Sequence, residues 1–296
     1  MKLTFRFAVV LLMAAMSSLA FGQDLQDKFF DSNGVRIRYI EQGAGETVVL
    51  IHGYGSTAEG NWILPRVFQQ LAKNYRVIAL DCRGFGKSDK PHDVKQYGRE
   101  MALDIVRLLD HLKVQKAHIV GYSMGGGITL KLLTMKPERF LTATLGGTAG
   151  RFALSSEELR QIEQMATEME KGSVRTLILS VWPTDQPKPT EEEIKKREAA
   201  YAGQDLVALA AVRRSNVDQV VTEKQVAAIK VPTICIVGNA DSRLVNVDKL
   251  KKGMPKLKVV TIEGATHSGE RAAVGRPEFI QALQEFLKAH PGQKGL

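Results

Sequence analysis

The stretch Gly121-Tyr122-Ser123-Met124-Gly125-Gly126 constrains this chain more than any other. It follows the apolar run Ala117-His118-Ile119-Val120 and precedes Gly127-Ile128-Thr129-Leu130-Lys131-Leu132-Leu133, whose apolar residues have helical spacing. A G-x-S-x-G segment between a strand and a helix is a sharp turn that holds its serine in a strained backbone conformation. At 121 and 125 the requirement for glycine is steric, because neighbouring backbone comes too close for a β-carbon. Such a turn lifts the Ser123 hydroxyl above a sheet. It also points the first backbone N–H groups of the helix at the reacting centre.

The chain is long enough to bury a sizeable core, at 296 residues with 44% hydrophobic and 25% charged. Its first residues read as something other than fold. Lys2 and Arg6 form a basic region, Phe7 to Met16 an apolar one, and small residues follow around Ser18–Gly22. This pattern predicts a secretory signal peptide over residues 1–22 and an exported protein, periplasmic or secreted. Removing the signal lowers the formal charge from +9 to +7. The excess is dispersed, as in Lys195-Lys196-Arg197 and Lys249, Lys251 and Lys252, so it reads as a solvated basic surface with a weak preference for anionic membrane surfaces. No nucleic-acid motif, metal-ligand cluster or dinucleotide fingerprint occurs, so no nucleic-acid partner, metal or cofactor is implied. Cys82 and Cys235 follow or lie in strands expected to be apart, and both are expected to be free thiols.

Taken in order, the chain alternates strands and helices. Val35–Ile40 follows the turn Ser32-Asn33-Gly34 as one arm of a hairpin. Strands are predicted at Thr47–Ile51, Arg76–Asp81, Ala117–Val120 and Phe140–Leu145, with helices over Trp62–Lys73 and Gly98–Leu112. The alternation then stops until the strand Thr233–Val237. The gap holds two capping-box patterns, Ser155 with Glu158 and Thr190 with Glu193. It also holds two apolar stripes, Leu159/Ile162/Met165/Met169 and Val174/Leu177/Ile178/Val181/Trp182. Residues 149–224 therefore read as a helical cap inserted into a core of 23–148 and 225–296. Packing is the plain reading of the Met and Trp residues, and Met165 and Trp182 are the candidates for a substrate pocket. The last strand, Lys258–Ile262, leads to Gly264-Ala265-Thr266-His267, and a helix starts near Pro277. Alternation of this kind indicates an α/β fold, with a mostly parallel central sheet covered by helices on both faces. Sites in such sheets gather at the carboxyl ends of strands, and Ser123, Asp241 and His267 each follow a strand.

Together His52-Gly53, Asp81-Cys82-Arg83-Gly84-Phe85-Gly86-Lys87-Ser88, the serine turn, Gly238-Asn239-Ala240-Asp241 and Gly264-Ala265-Thr266-His267 resemble the α/β-hydrolase superfamily. The order Ser, Asp, His matches as well. The resemblance implies Ser123 as nucleophile, His267 as base and Asp241 as the carboxylate that orients it. It implies the backbone N–H groups of Tyr54 and Met124 as an oxyanion hole. It also implies that His52, Asp81 and Arg83 shape loops and take no part in the chemistry. His92, His111, His118 and His290 lack any such context. Two departures stand out: Tyr54-Gly55-Ser56 after His-Gly, where many relatives have proline, and Ser268-Gly269 after the histidine, where many have an apolar residue. A serine at 123 argues against relatives whose nucleophile is a carboxylate. The expectation is a serine hydrolase acting on a small-molecule ester or related acyl compound, with reaction at Ser123 rising through roughly pH 6–7 as the imidazole loses its proton. The alternatives are cleavage of a C–C bond or acyl transfer on the same triad, or a ligand-binding receptor with little turnover.

Overall fold

The computed structural model describes residues 25–148, 150–183 and 185–292, so the signal expected over residues 1–22 lies outside the described residues. Eight strands form one sheet: β1 (Lys28–Asp31), β2 (Arg36–Gln42), β3 (Thr47–Ile51), β4 (Arg76–Leu80), β5 (Ala117–Tyr122), β6 (Phe140–Gly146), β7 (Thr233–Gly238) and β8 (Lys258–Ile262). Their spatial order is β1-β2-β4-β3-β5-β6-β7-β8. β1 and β2 form a hairpin around Asn33 and Gly34, both at positive φ, and β2 pairs antiparallel with β4. The pairings from β4 through β8 are parallel.

The helix expected over Trp62–Lys73 is broken. A π-helical turn covers Glu59–Ile63 and a short α1 covers Val67–Leu71. Pro65 cannot donate to a helix interior, and Arg66 turns into the left-handed region at φ 63°. α2 (Arg99–His111) falls within one residue of the expected Gly98–Leu112, and α3 (Met124–Met135) extends beyond the helically spaced Gly127–Leu133 at both ends. Between β6 and β7 the chain runs through α4 (Ser156–Glu170), α5 (Arg175–Ser180), α6 (Glu191–Glu198), α7 (Leu206–Arg214) and α8 (Glu223–Ala227). Both capping boxes are formed, at Ser155/Glu158 and Thr190/Glu193. α8 crosses the boundary expected at residue 224. Last come α9 (Val247–Gly253) and α10 (Pro277–Lys288).

β3 shows why its sequence is apolar at every position. All five residues are buried, and the period-two alternation sends Val49 and Ile51 to one face and Val48 and Leu50 to the other. Val49 and Ile51 belong to one apolar cluster with Met101, Ile105 and Leu108 of α2, and that cluster extends to Met169, Leu177, Ile178 and Leu209 of the inserted helices. Val48 and Leu50 belong to a second, with Trp62, Phe68, Phe279 and Leu283. Helices thus cover both faces of the sheet. Cys82 and Cys235 are free and buried, and β4 and β7 are separated by β3, β5 and β6. A buried ion pair holds the β4 loop: Arg83 Nε donates to Asp104 of α2 at 2.7 Å.

Candidate active site

Ser123 sits between β5 and α3 with φ 52° and ψ −109°, the strained conformation that the turn requires. A β-carbon at Gly121 would collide with the backbone of Gly125, and one at Gly125 with the Ile51 carbonyl. The turn is therefore packed backbone on backbone, and the Ser123 N–H is fixed by the Gly146 carbonyl at 2.7 Å. Asp241 follows β7 and His267 follows β8, so three strand ends converge.

The three side chains form a continuous chain. Ser123 Oγ lies 2.8 Å from His267 Nε2, and His267 Nδ1 lies 2.8 Å from Asp241 Oδ2. A carboxylate only accepts, so Nδ1 carries the proton and Nε2 faces the hydroxyl as acceptor. Asp241 Oδ1 also accepts the Arg243 backbone N–H at 2.8 Å. Burial pulls the His267 pKa below its ordinary value; the hydrogen bond to Asp241 opposes this and the charge of Arg243 adds to it. A hydroxyl bonded to a neutral imidazole whose far nitrogen is held by a carboxylate can give up its proton as it attacks.

Tyr54 and Met124 flank Ser123 in the cavity wall, and among the described residues neither backbone N–H has a protein acceptor. Such free donors suit a developing oxyanion. The Tyr54 hydroxyl donates to the Leu209 carbonyl of α7 at 2.6 Å, which ties this loop to the inserted helices. His52 is committed elsewhere: its Nε2 accepts the Cys82 N–H at 2.9 Å and its Nδ1 donates to the Gly53 carbonyl at 2.7 Å. Asp81 accepts the N–H groups of Ala58 at 2.8 Å and Lys87 at 2.9 Å.

The cavity above Ser123 has a volume of about 540 Å³, and Leu177, Val181 and Tyr201 of the inserted segment form part of its wall. Met165 and Trp182, the pocket candidates from sequence, are not in that wall. Met165 packs against the apolar core. Trp182 lies under the Arg197 guanidinium, 4.2 Å from it, and its indole N–H donates to the Pro187 carbonyl. The sequence reading missed three arginines that do line the cavity: Arg151, Arg213 and Arg243. Among the described residues none has an acidic partner within ion-pair distance. The signal available in the sequence was positional: Arg213 stands four residues after Leu209, on the apolar face of α7.

The fold and the convergence of strand ends define an α/β-hydrolase-fold protein, and the comparisons agree. A family model described as the alpha/beta hydrolase fold matches residues 46–171. The chain is 45% identical over 120 residues to a 2-hydroxymuconate semialdehyde hydrolase of Pseudomonas sp. (strain CF600), a match covering 40% of this chain and 41% of that protein. It is 41% identical over 142 residues to a 2-hydroxy-6-oxo-6-(2'-aminophenyl)hexa-2,4-dienoic acid hydrolase of Metapseudomonas resinovorans, covering 46% and 47%. These matches span less than half the length of either relative. Among solved structures, the enol-lactonase of Burkholderia xenovorans LB400 superposes with a TM-score of 0.71 at 21% identity, over 88% of this chain and all of that one, which is a likeness of fold.

Proposed function

We propose that the protein is a hydrolase that cleaves a carbon–carbon bond beside a ketone in an acidic substrate, with Ser123 as nucleophile, His267 as base and Asp241 as its orienting carboxylate. The observation that carries this is the pair of 2.8 Å contacts from Ser123 through His267 to Asp241, set in a cavity walled by guanidinium groups. The names of the two relatives choose among the reactions such a site can perform. A muconate semialdehyde and an oxo-hexadienoic acid contain no ester or amide, so their hydrolysis must break a C–C bond next to a carbonyl. This favours C–C cleavage over the ester hydrolysis expected from the sequence.

The site supports the following course. Ser123 Oγ adds to the ketone carbon as His267 takes its proton, and the N–H groups of Tyr54 and Met124 meet the oxyanion. In a 2-hydroxy-6-oxo-dienoic acid the 2-hydroxyl proton has by then moved to C5, so the C5–C6 bond breaks with its electron pair passing into the dienolate of the resulting 2-ketone, which takes the proton from His267. The acyl group stays on Ser123. Water, deprotonated by His267, then attacks the acyl carbon and frees a carboxylic acid and the serine. The test is multiple turnover of a 2-hydroxy-6-oxo-dienoic acid, followed by loss of its absorbance, against a panel of simple carboxylic esters. Faster turnover of the oxo-dienoic acid, abolished in Ser123→Ala, is expected. Turnover of esters alone would return the reading to an esterase, and turnover by neither would remove the hydrolase reading.

A further inference from the structure

Three guanidinium groups line one catalytic cavity from three separate parts of the chain. Arg151 comes from the segment after β6, Arg213 from α7 and Arg243 from the turn after β7. Arg213 is only 8% exposed, and its Nε and that of Arg243 are buried without a hydrogen-bond partner among the described residues. Arg213 stacks over the Tyr54 ring with its guanidinium carbon 4.3 Å from the centroid. Burial together with the neighbouring Arg243 and Arg213 holds Arg151 down at about 10, and burial with Arg213 lowers Arg243.

Two carboxylates face this cluster, and both are engaged. Glu158 accepts the Ser155 N–H and hydroxyl in its capping box, and Asp241 holds His267 and the Arg243 N–H. Cations withdrawn from water without a paired carboxylate are costly unless a ligand supplies the negative charge. Each guanidinium offers five N–H donors and one positive charge, whereas a single carboxylate has about four lone-pair sites and one negative charge. One carboxylate would therefore leave much of the cluster unmatched. A cavity of about 540 Å³ has room for an extended molecule, so the charges can be met at separate points.

We propose that Arg151, Arg213 and Arg243 form a subsite that selects a dicarboxylate substrate. The inference rests on the reading above for the reaction and adds the substrate class. It is tested by calorimetric titration of the full chain with adipate, hexanoate and inorganic phosphate. Adipate is expected to bind at least about tenfold more tightly than hexanoate, the scale of a lost charge-assisted contact. Arg213→Gln and Arg151→Gln should each bring the adipate affinity down by about tenfold and leave hexanoate much less changed. Arg151 is only half-buried, so Arg151→Gln gives the answer if Arg213→Gln does not fold. Equal affinities for adipate and hexanoate, phosphate binding more tightly than adipate, or an unchanged adipate preference in Arg151→Gln would each overturn the proposal. Phosphonate labelling of Ser123, run in parallel, keeps the two readings apart. An adipate preference without labelling sinks the hydrolase and keeps the subsite, and labelling without the preference does the reverse.

Discussion

The Tyr122 hydroxyl donates to the backbone carbonyl of His267 at 2.8 Å, and the two rings lie stacked with centroids 5.9 Å apart. Tyr122 is also the residue before Ser123, so one strand end holds the hydroxyl and, 144 residues on, the backbone of the imidazole that faces it. Burial raises the Tyr122 pKa far above its ordinary value, so the phenol stays a donor.

Tyr122→Phe keeps the ring and removes that donor. It is expected to lower stability by about 1 kcal/mol and turnover by several-fold, the size of one net hydrogen bond. Urea unfolding and kcat of the purified variant check this. A variant with both quantities unchanged would show that the stacking alone positions His267.

Asp104 is expected to matter for folding and not for chemistry. It pairs with the fully buried Arg83, and also accepts the Ser32 hydroxyl. Asp104→Ala leaves a buried guanidinium without its partner, which should cost about 3–5 kcal/mol. The measurement is the urea midpoint, with phosphonate labelling of the folded fraction. Full stability would mean that water reaches Arg83.

Substitutions at His52 and Asp241 test the proposed division between a loop-shaping and a catalytic role. Asp241→Asn should reduce turnover by about four orders of magnitude with the melting temperature little changed, because the amide no longer fixes the right imidazole tautomer. His52→Ala should instead act on stability, since His52 joins the Cys82 N–H to the Gly53 carbonyl inside the core. Loss of less than tenfold in Asp241→Asn would point to a different carboxylate.

Much of the architecture is legible in the sequence because its signals are local. β3 reads as a strand from its unbroken apolar run, and α2 from Met101, Ile105, Leu108 and Leu109 on one face. The break inside Trp62–Lys73 has one local signal, Pro65, which the apolar spacing outweighs in the sequence reading, and the left-handed Arg66 has no local signature. The cavity arginines were illegible for a different reason. Arg213 and Arg214 are neighbours in sequence, yet Arg214 turns outward to Glu163 at 2.8 Å and Arg213 turns into the cavity. Only the packing of α7 separates their fates. Trp182 and Met165 show the converse, since large apolar residues near a site serve the core as readily as a pocket.

The pH dependence of Ser123 reactivity follows from the environment of His267. Only the neutral imidazole can take the serine proton, so reactivity rises as pH passes upward through the His267 pKa and is flat above it. Burial, the largest influence, and the charge of Arg243 both lower that pKa; Asp241 works against them without reversing the direction. The midpoint is therefore expected below the usual value of about 6.5, on the acid side of the range of roughly 6–7 that an unperturbed imidazole implies. Stability follows with the same sign. The unfolded chain takes up the His267 proton more readily than the folded one, so this residue's contribution is present above about 6.5 and is lost as pH falls. A neutral phosphonate probe reads the midpoint without ionisation of a substrate carboxylate. Arg243→Gln should move the midpoint upward, because one positive charge beside the imidazole is gone, and Arg243→Lys should leave it close to wild type. A wild-type midpoint at 7 or above would mean that Asp241 dominates and that His267 carries its proton at neutral pH. The resting site would then hold a charged imidazole unable to activate Ser123.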